Sequence, residues 1–380
     1  MDVVVTGIGL TSCLGSLQAT WTSILQGKSG IELRSLFSQL PSYPLGLTNS
    51  QPSKIDDLIP PLLLATLEDA GLQTPLDNCG VVIGSSRGCQ ANWEELATQR
   101  YNSDHSNHSN LSISNWLHTL PDHSAIATAR YLRTKAPVLA PMAACATGIW
   151  ALAWGYELIK TGQCQRAIAG AVEAPITPLT LAAFERMGAL ATTGCYPFDS
   201  EREGLVLGEG GAMFILETAE LAARRQAKVY GRILGFGLTC DAHHISAPQT
   251  VKGSAARAIK QALERSNLEP LAIDYIHAHG TSTALNDYHE AQLIQHIFPQ
   301  RVATSSTKGA TGHTLGASGA IGTALTLMAF HQGHLPPCVG LQNLEFDLDI
   351  VTQARKAKIN HAMCFSFGFG GQNAVITLSK

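Results

Sequence analysis

The residue of this sequence best placed for covalent chemistry is Cys145, in the run AACATG at residues 143–148. The apolar residues 136–140 before it predict a buried strand, and the apolar spacing after it predicts a helix up to Gly162. At the N-terminus of a helix, the unpaired backbone N–H groups and the macrodipole favour a thiolate over a thiol. Small neighbours leave room for a substrate to approach the sulfur. We therefore predict that Cys145 is a nucleophile and not only a small buried side chain.

Glycine-rich turns in the C-terminal half carry further reactive groups. His279 ends a predicted strand in the run HAHGTST (residues 277–283), and Lys308 and His313 flank the run GATG before a predicted helix. If the two halves of the chain are related, these turns face the cysteine turn. One cysteine with two histidines and a lysine suits carbon–carbon bond formation from thioesters: the sulfur takes an acyl group, and the imidazoles hydrogen-bond a thioester carbonyl as charge builds on it. Because Lys308 lies within a glycine-rich turn, we predict that it points inward.

Strand and helix patterns recur along the chain, which predicts an internally duplicated α/β fold. The strand patterns at 2–6 and 229–238 both lie next to a Gly-x-Gly run. We predict two copies of one β/α unit, each with a mixed β-sheet. The N-terminal half (1–225) carries the cysteine, and the C-terminal half (226–380) carries the two histidines and the lysine.

The composition excludes several classes of function. The 380 residues are 45% hydrophobic and 14% charged, which is typical of a large, tightly turned α/β core. A net charge of −3 gives no reason to expect nucleic acid or a membrane as partner. The nine scattered cysteines form no C-x-x-C pair, which favours a reducing cytoplasm over a disulfide framework or a zinc site. The N-terminus lacks a basic region and predicts a strand, not a signal peptide.

Two other motifs carry weaker signals. The Gly-Ile-Gly run at 7–9 resembles the start of a dinucleotide-binding fingerprint, but Ser12 stands at the place of the third glycine. His105 and His108 lie in a polar stretch without cysteines or a second acidic pair nearby, so we predict a solvated loop there. We expect no metal site.

Four ordered motifs resemble those of the 3-oxoacyl-[acyl-carrier-protein] synthases of types I and II, including polyketide ketosynthases. The motifs are ACATG (144–148), HGTSTALND (279–287), KGATGH (308–313) and FGFGG (367–371). The resemblance runs nearly end to end and implies the thiolase fold, with helices and sheets in αβαβα layers, and a homodimer. It also implies decarboxylative Claisen condensation. The acyl and malonyl groups would arrive on the phosphopantetheine arm of an acyl carrier protein, with no cofactor bound by the enzyme itself.

Matching motif positions give each residue an implied role. Cys145 would accept the acyl group, while His279 and His313 would bind the malonyl thioester carbonyl and drive decarboxylation. Lys308 would order the polar network around His313. The backbone N–H groups of Cys145 and Phe369 would form the oxyanion hole, with Phe369 as the gate to the pocket. The other implied contacts to the substrate and its arm are Thr281, Thr283, Phe184 and Phe367.

Departures from the family pattern leave two alternatives open. Gly322 stands where this family usually has a glutamate, so Lys308 lacks its expected carboxylate unless Glu290 or Asp287 compensates. One alternative is a non-catalytic partner like the chain-length factors of polyketide systems, which lack the cysteine. The other is a thiolase acting on CoA thioesters, for which Cys364 would be the second cysteine. The acyl length, the pathway and the choice between homodimer and heterodimer stay open.

Overall fold

The computed structural model describes residues 1–102 and 116–380. The predicted loop with His105 and His108 lies outside the described residues. Within the two described ranges, no helix is both long enough and apolar enough to cross a bilayer.

The strands of the described residues are between two and ten residues long. They are β1 Val3–Ser12, β2 Gly15–Ser16, β3 Glu32–Arg34, β4 Tyr43–Leu45, β5 Cys79–Gly84, β6 Val138–Leu139, β7 Arg166–Glu173, β8 Gly210–Thr218, β9 Gly231–Cys240, β10 Tyr275–His277, β11 Ala303–Ser305, β12 His334–Leu335, β13 Arg355–Lys356, β14 His361–Gly368 and β15 Gln372–Ser379.

Most strands form one mixed sheet in the order β11-β10-β14-β15-β9-β1-β8-β7-β5-β6, with β2 paired to β1. Strand β10 is parallel to β11 and β14, and β5 is parallel to β6 and β7, while the other neighbours are antiparallel. The two five-strand groups come from the two halves of the chain. They meet where Val3–Val5 of β1 pairs with Gly231–Ile233 of β9, so the two mixed sheets are joined at one short antiparallel ladder.

The α-helices of the described residues lie in both halves of the chain, seven before residue 226 and four after it. They are α1 Leu17–Leu25, α2 Ile55–Ala70, α3 Gln90–Asn102, α4 His123–Leu132, α5 Thr147–Lys160, α6 Pro178–Arg186, α7 Ala219–Arg224, α8 Ser254–Ser266, α9 Ala284–Ile297, α10 Lys308–Thr311 and α11 Ser318–Gln332.

Three apolar cores fill the spaces between the layers of helices and strands. Helix α2 packs on β1 and β8 on one outer side, and α8 packs on β9 and β15 on the other. Helices α5 and α11 lie between the sheets and contact each other, with Ile149 and Ile321 in one shared core. A Cβ at Gly148 would lie 2.6 Å from the backbone nitrogen of Ala320, so the close approach of these helices requires glycine there. The predicted αβαβα layering is confirmed.

Two sequence predictions were wrong in detail. The strand predicted at 136–140 is reduced to β6, a half-buried pair of residues at the sheet edge. Residues 40–60 are rich in proline, serine and leucine, which predicts an irregular loop, but this stretch contains β4 and the first turn of α2. Helix α2 begins at Ile55 and continues through Pro60 and Pro61, because its buried apolar face against the sheet outweighs the hydrogen bonds that the prolines remove.

Candidate active site

Three hydrogen bonds hold the turn that carries Cys145. Ala144 adopts a positive φ of 47°, and α5 begins two residues after the cysteine. Thr147 Oγ1 accepts the N–H of Ala143 (2.9 Å) and donates to the carbonyl of Ala144 (2.6 Å). The hydroxyl of Ser366 on β14 donates to the carbonyl of Cys145 (2.8 Å). The cysteine therefore lies in a turn that leads into a helix, as predicted, and a serine from the other half of the chain supports that turn.

The acidity of Cys145 differs from the sequence prediction. Burial raises the pKa of its thiol to about 11, while Lys308 and the backbone N–H of Phe369 act in the opposite direction. The prediction that the helix N-terminus leaves a thiolate was wrong, because removal from water disfavours the charged sulfur more than its neighbours favour it. Cys145 is therefore a thiol at neutral pH.

His279 follows β10 in a turn that is fixed by one buried carboxylate. Glu290 on α9 accepts the backbone N–H of His279 (2.6 Å) and of Gly280 (2.7 Å). Burial raises the pKa of Glu290 to about 7, against the lowering effect of these N–H groups and of Lys308. Three residues earlier on the same helix, Asp287 accepts the N–H of Thr281 (2.9 Å). One turn of α9 thus sets the backbone path of the histidine turn.

Lys308 points inward, as predicted, and is 4% exposed. Its Nζ lies 3.4 Å from Nδ1 of His279 and also donates to the carbonyl oxygen of that residue. An ammonium group can only donate, so Nδ1 of His279 accepts and its ring proton resides on Nε2. Burial lowers the pKa of Lys308, and Glu290 is the carboxylate that opposes this. Glu290, one of the two carboxylates considered from the sequence, therefore acts on Lys308 only through its charge, since its oxygens are bonded to the N–H groups of His279 and Gly280.

His313 enters the site from the turn between α10 and α11. Its backbone N–H donates to the carbonyl of Val206 (2.6 Å), and its ring centroid lies 5.3 Å from that of His279 in an edge-on arrangement. Burial and the charge of Lys308 hold the pKa of both histidines well below the usual value. Both rings are therefore neutral, and each offers one N–H donor.

The three reactive side chains converge as the sequence predicted. The sulfur of Cys145 and the nearest ring nitrogens of His279 and His313 all lie within 4.8 Å of one another. A cysteine and two histidines at this spacing also match a soft-metal ligand set. The same groups face a cavity of about 260 Å³, which gives them access to an organic substrate.

The cavity brings the other predicted residues to the same place. Its walls include the following members of the predicted set: Cys145, Phe184, His279, Thr281, Thr283, His313, Phe367 and Phe369. Lys308 lies behind His279. The Phe184 and Phe369 rings stack with centroids 6.1 Å apart, beside the sulfur in an apolar cluster that includes Leu205 and Leu315. The hydroxyls of Thr281 and Thr283 lie 2.9 Å apart at the polar side of the cavity.

Sequence reasoning missed Ser366, whose hydroxyl bonds the carbonyl of Cys145. It also missed His277, which is fully buried close to the site. His277 lies two residues before His279 on a three-residue strand, so the period-2 alternation of a strand places both side chains on one face. That spacing was the available signal. Ser366 carried none, because its contact joins residues 221 apart in the chain.

Comparison with known proteins identifies the family. Residues 61–222 match the family described as beta-ketoacyl synthase, N-terminal domain, and residues 230–342 match beta-ketoacyl synthase, C-terminal domain. The chain belongs to the beta-ketoacyl synthase family. It is 34% identical over 409 residues to 3-oxoacyl-[acyl-carrier-protein] synthase 2 of Synechocystis sp., covering 100% of this chain and 98% of that protein.

Solved structures of ketosynthases share the fold of this family member. One is the structure of AntDE:AntF, a type II PKS acyl-carrier protein in complex with its ketosynthase bound to the hexaketide, with TM-score 0.93 and 27% identity over 100% of this chain and 99% of that chain. Another is the ishigamide ketosynthase/chain length factor, with TM-score 0.91 and 27% identity over 100% and 99% of the two chains. The predicted thiolase fold and family are therefore confirmed.

Proposed function

We propose that this beta-ketoacyl synthase condenses an acyl group held on Cys145 with malonyl carried by an acyl carrier protein, yielding a 3-oxoacyl carrier thioester. The convergence of the sulfur and the two imidazoles within 4.8 Å, at the wall of a cavity, is the observation that carries this proposal. The synthase relatives and the ketosynthase structures support the same reaction class. The products would serve fatty acid, polyketide or specialised lipid synthesis.

In the first half-reaction, the sulfur of Cys145 attacks the carbonyl carbon of the acyl thioester. The new carbon–sulfur bond forms, the bond to the phosphopantetheine sulfur breaks, and the thiol proton passes to that leaving thiolate. The negative carbonyl oxygen of the tetrahedral intermediate would be held by the N–H groups of Cys145 and Phe369. The effect of the Phe369 N–H on the sulfur supports this placement, as does its position in the cavity wall.

In the second half-reaction, malonyl thioester loses CO₂ and its electron pair moves into the thioester enolate. The N–H donors of the neutral rings of His279 and His313 would stabilise the enolate oxygen. The enolate carbon then attacks the acyl carbonyl, and the carbon–sulfur bond to Cys145 breaks. The cysteine sulfur leaves as a thiolate and takes up a proton from water. Lys308 would hold Nδ1 of His279 in its acceptor state, which keeps the ring proton on Nε2.

The substrate's phosphopantetheine arm would approach along the polar side of the cavity. The hydroxyls of Thr281 and Thr283 lie on that side, and Asn373 and Asp241 line the same cavity. These groups offer donors and acceptors for the amides of the arm. Phe184 and Phe367 would contact the acyl chain, and Phe369 would gate the entry to it. The arm belongs to the carrier protein, so the enzyme itself needs no resident cofactor.

A homodimer in the cytoplasm is part of the same proposal. Strand β6 ends the sheet and is half-exposed, and an edge strand presents unpaired backbone groups to a second copy. Met142, just beyond β6, is 57% exposed, which supports an apolar contact there. Within each subunit, the half 1–225 would supply the nucleophile and the half 226–380 the imidazoles. Light scattering on the purified protein tests the dimer; a mass of one chain would contradict it.

The alternatives have less support. A non-catalytic partner subunit has no need of a cysteine and two histidines converging in a cavity. The thiolase alternative needs Cys364 at the substrate, but that residue is fully buried and its sulfur lies 3.9 Å from Nδ1 of His277, outside the cavity wall. Condensation of acetyl-CoA without release of CO₂ would support the thiolase alternative. Decarboxylation of malonyl carrier protein without acylation of the cysteine would support the partner-subunit alternative.

Intact-protein mass spectrometry tests the proposal directly. The wild type and a Cys145→Ala variant would each be incubated with carrier-protein thioesters of several acyl lengths. We expect an acyl adduct on the wild type only, and the chain that loads best indicates the pathway served. No adduct from any chain, on protein with an intact fold by circular dichroism, would contradict the synthase mechanism.

A further inference from the structure

A third histidine, His277, lies behind the site and is not used by the mechanism above. It is 3% exposed and sits at the end of β10, two residues before His279. Burial, with a further contribution from Lys308, lowers its pKa to about 3, so the imidazole is neutral near pH 7. A neutral buried ring is held by packing and hydrogen bonds, and both partners can be named.

The packing partner is Gly322 on α11. A Cβ built on Gly322 would lie 2.7 Å from Nδ1 and 2.8 Å from Cε1 of His277, and 3.0 Å from the sulfur of Cys364. At these distances a side chain at 322 would force the imidazole or the helix to shift, and the glycine has no positive φ that would otherwise require it. The imidazole of His277 therefore occupies the space that a residue at 322 would need. The histidine at 277 can pack in this position only because residue 322 is a glycine.

The hydrogen-bonding partner is Thr307, the residue before Lys308. Nε2 of His277 lies 3.1 Å from Oγ1 of Thr307. Lys308 follows directly and reaches Nδ1 of His279 at 3.4 Å. A chain of contacts thus runs from α11 through His277 and Thr307 to the lysine that sets the tautomer of His279.

We infer that His277 is a positioning residue for decarboxylation: wedged against Gly322 and bonded to Thr307, it fixes the backbone from which Lys308 reaches His279. The inference rests on the proposed condensation, in which His279 stabilises the enolate. Glu290 acts on the charge of Lys308 from the side of α9, so the role of His277 is to set position and not to balance charge. Loss of the wedge or of the hydrogen bond displaces Lys308, and a small displacement of a catalytic group is costly in rate.

The experiment compares two half-reactions in each variant: CO₂ release from malonyl carrier protein, and acylation of Cys145 by acyl carrier protein. Thr307→Val removes only the hydroxyl that bonds His277. We expect its decarboxylation rate to fall about tenfold, the worth of one buried hydrogen bond, with acylation unchanged. Thr128→Val, which removes an equally buried hydroxyl on α4, is the matched control and should change neither rate.

The Gly322→Ala variant and the His277→Ala/Gly322→Ala double variant separate positioning from packing. The single variant should lose thermal stability and decarboxylation together, because the methyl group displaces the imidazole. The double variant has room for that methyl group, so its melting temperature should rise again. Its decarboxylation should stay low, since Thr307 still lacks its partner. If His277 has only a structural role, the melting temperature and the decarboxylation rate should both recover in the double variant.

The outcomes distinguish this inference from the proposed function. If the wild type shows neither acylation nor CO₂ release, the condensation itself fails. If the wild type shows both and Thr307→Val keeps the full rate of decarboxylation, or loses both half-reactions equally, the positioning role of His277 is overturned. Recovery of decarboxylation in the double variant would overturn it as well.

Discussion

Cys145 is subject to opposing influences on its acidity. It lies at the start of α5, and Lys308 and the Phe369 N–H favour its ionised form, but the apolar cluster around the sulfur excludes water. With a pKa of about 11, the thiol is the dominant form at neutral pH. A thiol is protected from stray oxidants and alkylating agents, because the thiolate is the reactive species. We therefore expect only a small fraction of Cys145 to be ionised at neutral pH.

The pH dependence of alkylation tests this account. Below its pKa a thiol gains about tenfold in thiolate fraction for each pH unit. The rate of iodoacetamide alkylation at Cys145 should therefore keep rising from pH 7 to pH 10 without a plateau, since the pKa lies at about 11. Peptide mass spectrometry of the residue gives the rate, and urea-unfolded protein is the control. A plateau below pH 8 would mean that the helix terminus dominates after all.

The two neutral imidazoles are proposed to act in the decarboxylation half-reaction and not in the acylation of Cys145, so a variant of one of them should affect only the first. His279→Asn removes the ring N–H that is proposed to hold the enolate oxygen, and the loss of one such donor costs about 10²–10³ in rate. Decarboxylation of malonyl carrier protein should fall by that factor, while acylation of Cys145 continues. His296→Asn, an exposed position on α9, is the matched control. Equal loss of both half-reactions in His279→Asn would assign the residue to cysteine activation instead.

The sequence was sufficient to single out the three side chains that converge at the cavity, but not their protonation states. Cys145, His279 and His313 lie in glycine-rich turns next to strands and helices, which are local features that a sequence displays. Their pKa shifts are caused by burial, and burial depends on side chains that arrive from distant parts of the chain. Ser366, on β14, is one such distant contact.

At the scale of elements, the carboxylate of Glu173 joins two parts of the first half of the chain to the second half. Glu173 ends β7 and is fully buried. It accepts the N–H groups of Ser86 (2.8 Å) and Arg87 (3.2 Å) in the turn after β5, and the N–H of Gly316 (3.2 Å) just before α11. The hydroxyls of Ser85 and Ser86 also donate to it. This single side chain therefore fixes the turn after β5 relative to the approach of α11.

Glu173→Gln should destabilise the protein. The amide NH₂ cannot accept from the N–H groups of Ser86 and Gly316, so at least one buried donor is left unpaired, at a cost of about 1–3 kcal/mol. The free energy of unfolding from urea titration measures this loss. Glu220→Gln, an exposed glutamate on α7, should change it by less than about 0.5 kcal/mol. An unchanged midpoint for Glu173→Gln would show that the turn does not depend on this carboxylate.

Long buried elements were predictable from the sequence, and short edge elements were not. Strands β1 and β9 and helix α5 have long apolar patterns, and all three were expected close to their observed places. The predicted strand at 136–140 shrank to β6 because its outer neighbour is missing within the described part of the chain. Helix α2 starts earlier than its prolines indicate, since tertiary burial outweighs local propensity.

At the scale of the whole molecule, the two halves share a core and not only a surface. Ile149 and Leu152 of α5 pack in the same buried cluster as Ile321 and Leu325 of α11. The ladder between β1 and β9 also continues one sheet into the other. Separating the halves would expose this entire cluster to water, at about 25 cal/mol for each Å² of apolar surface. The site needs both halves for a related reason, because the cysteine and the two imidazoles come from opposite sides of this core.

A shared core predicts that the halves unfold together. The chain offers a clean test, because all tryptophans lie in the N-terminal half: Trp21, Trp93, Trp116, Trp150 and Trp154. Fluorescence in urea therefore reports mainly on that half and on its side of the shared core, where Trp150 packs. Pulsed hydrogen exchange of the peptide covering Ser318–Gln332 reports on the other half. We expect one midpoint for both probes, since neither α5 nor α11 can keep its buried face without the other. An exchange transition well separated from the fluorescence transition would mean that the halves are independent folding units that only dock to form the site.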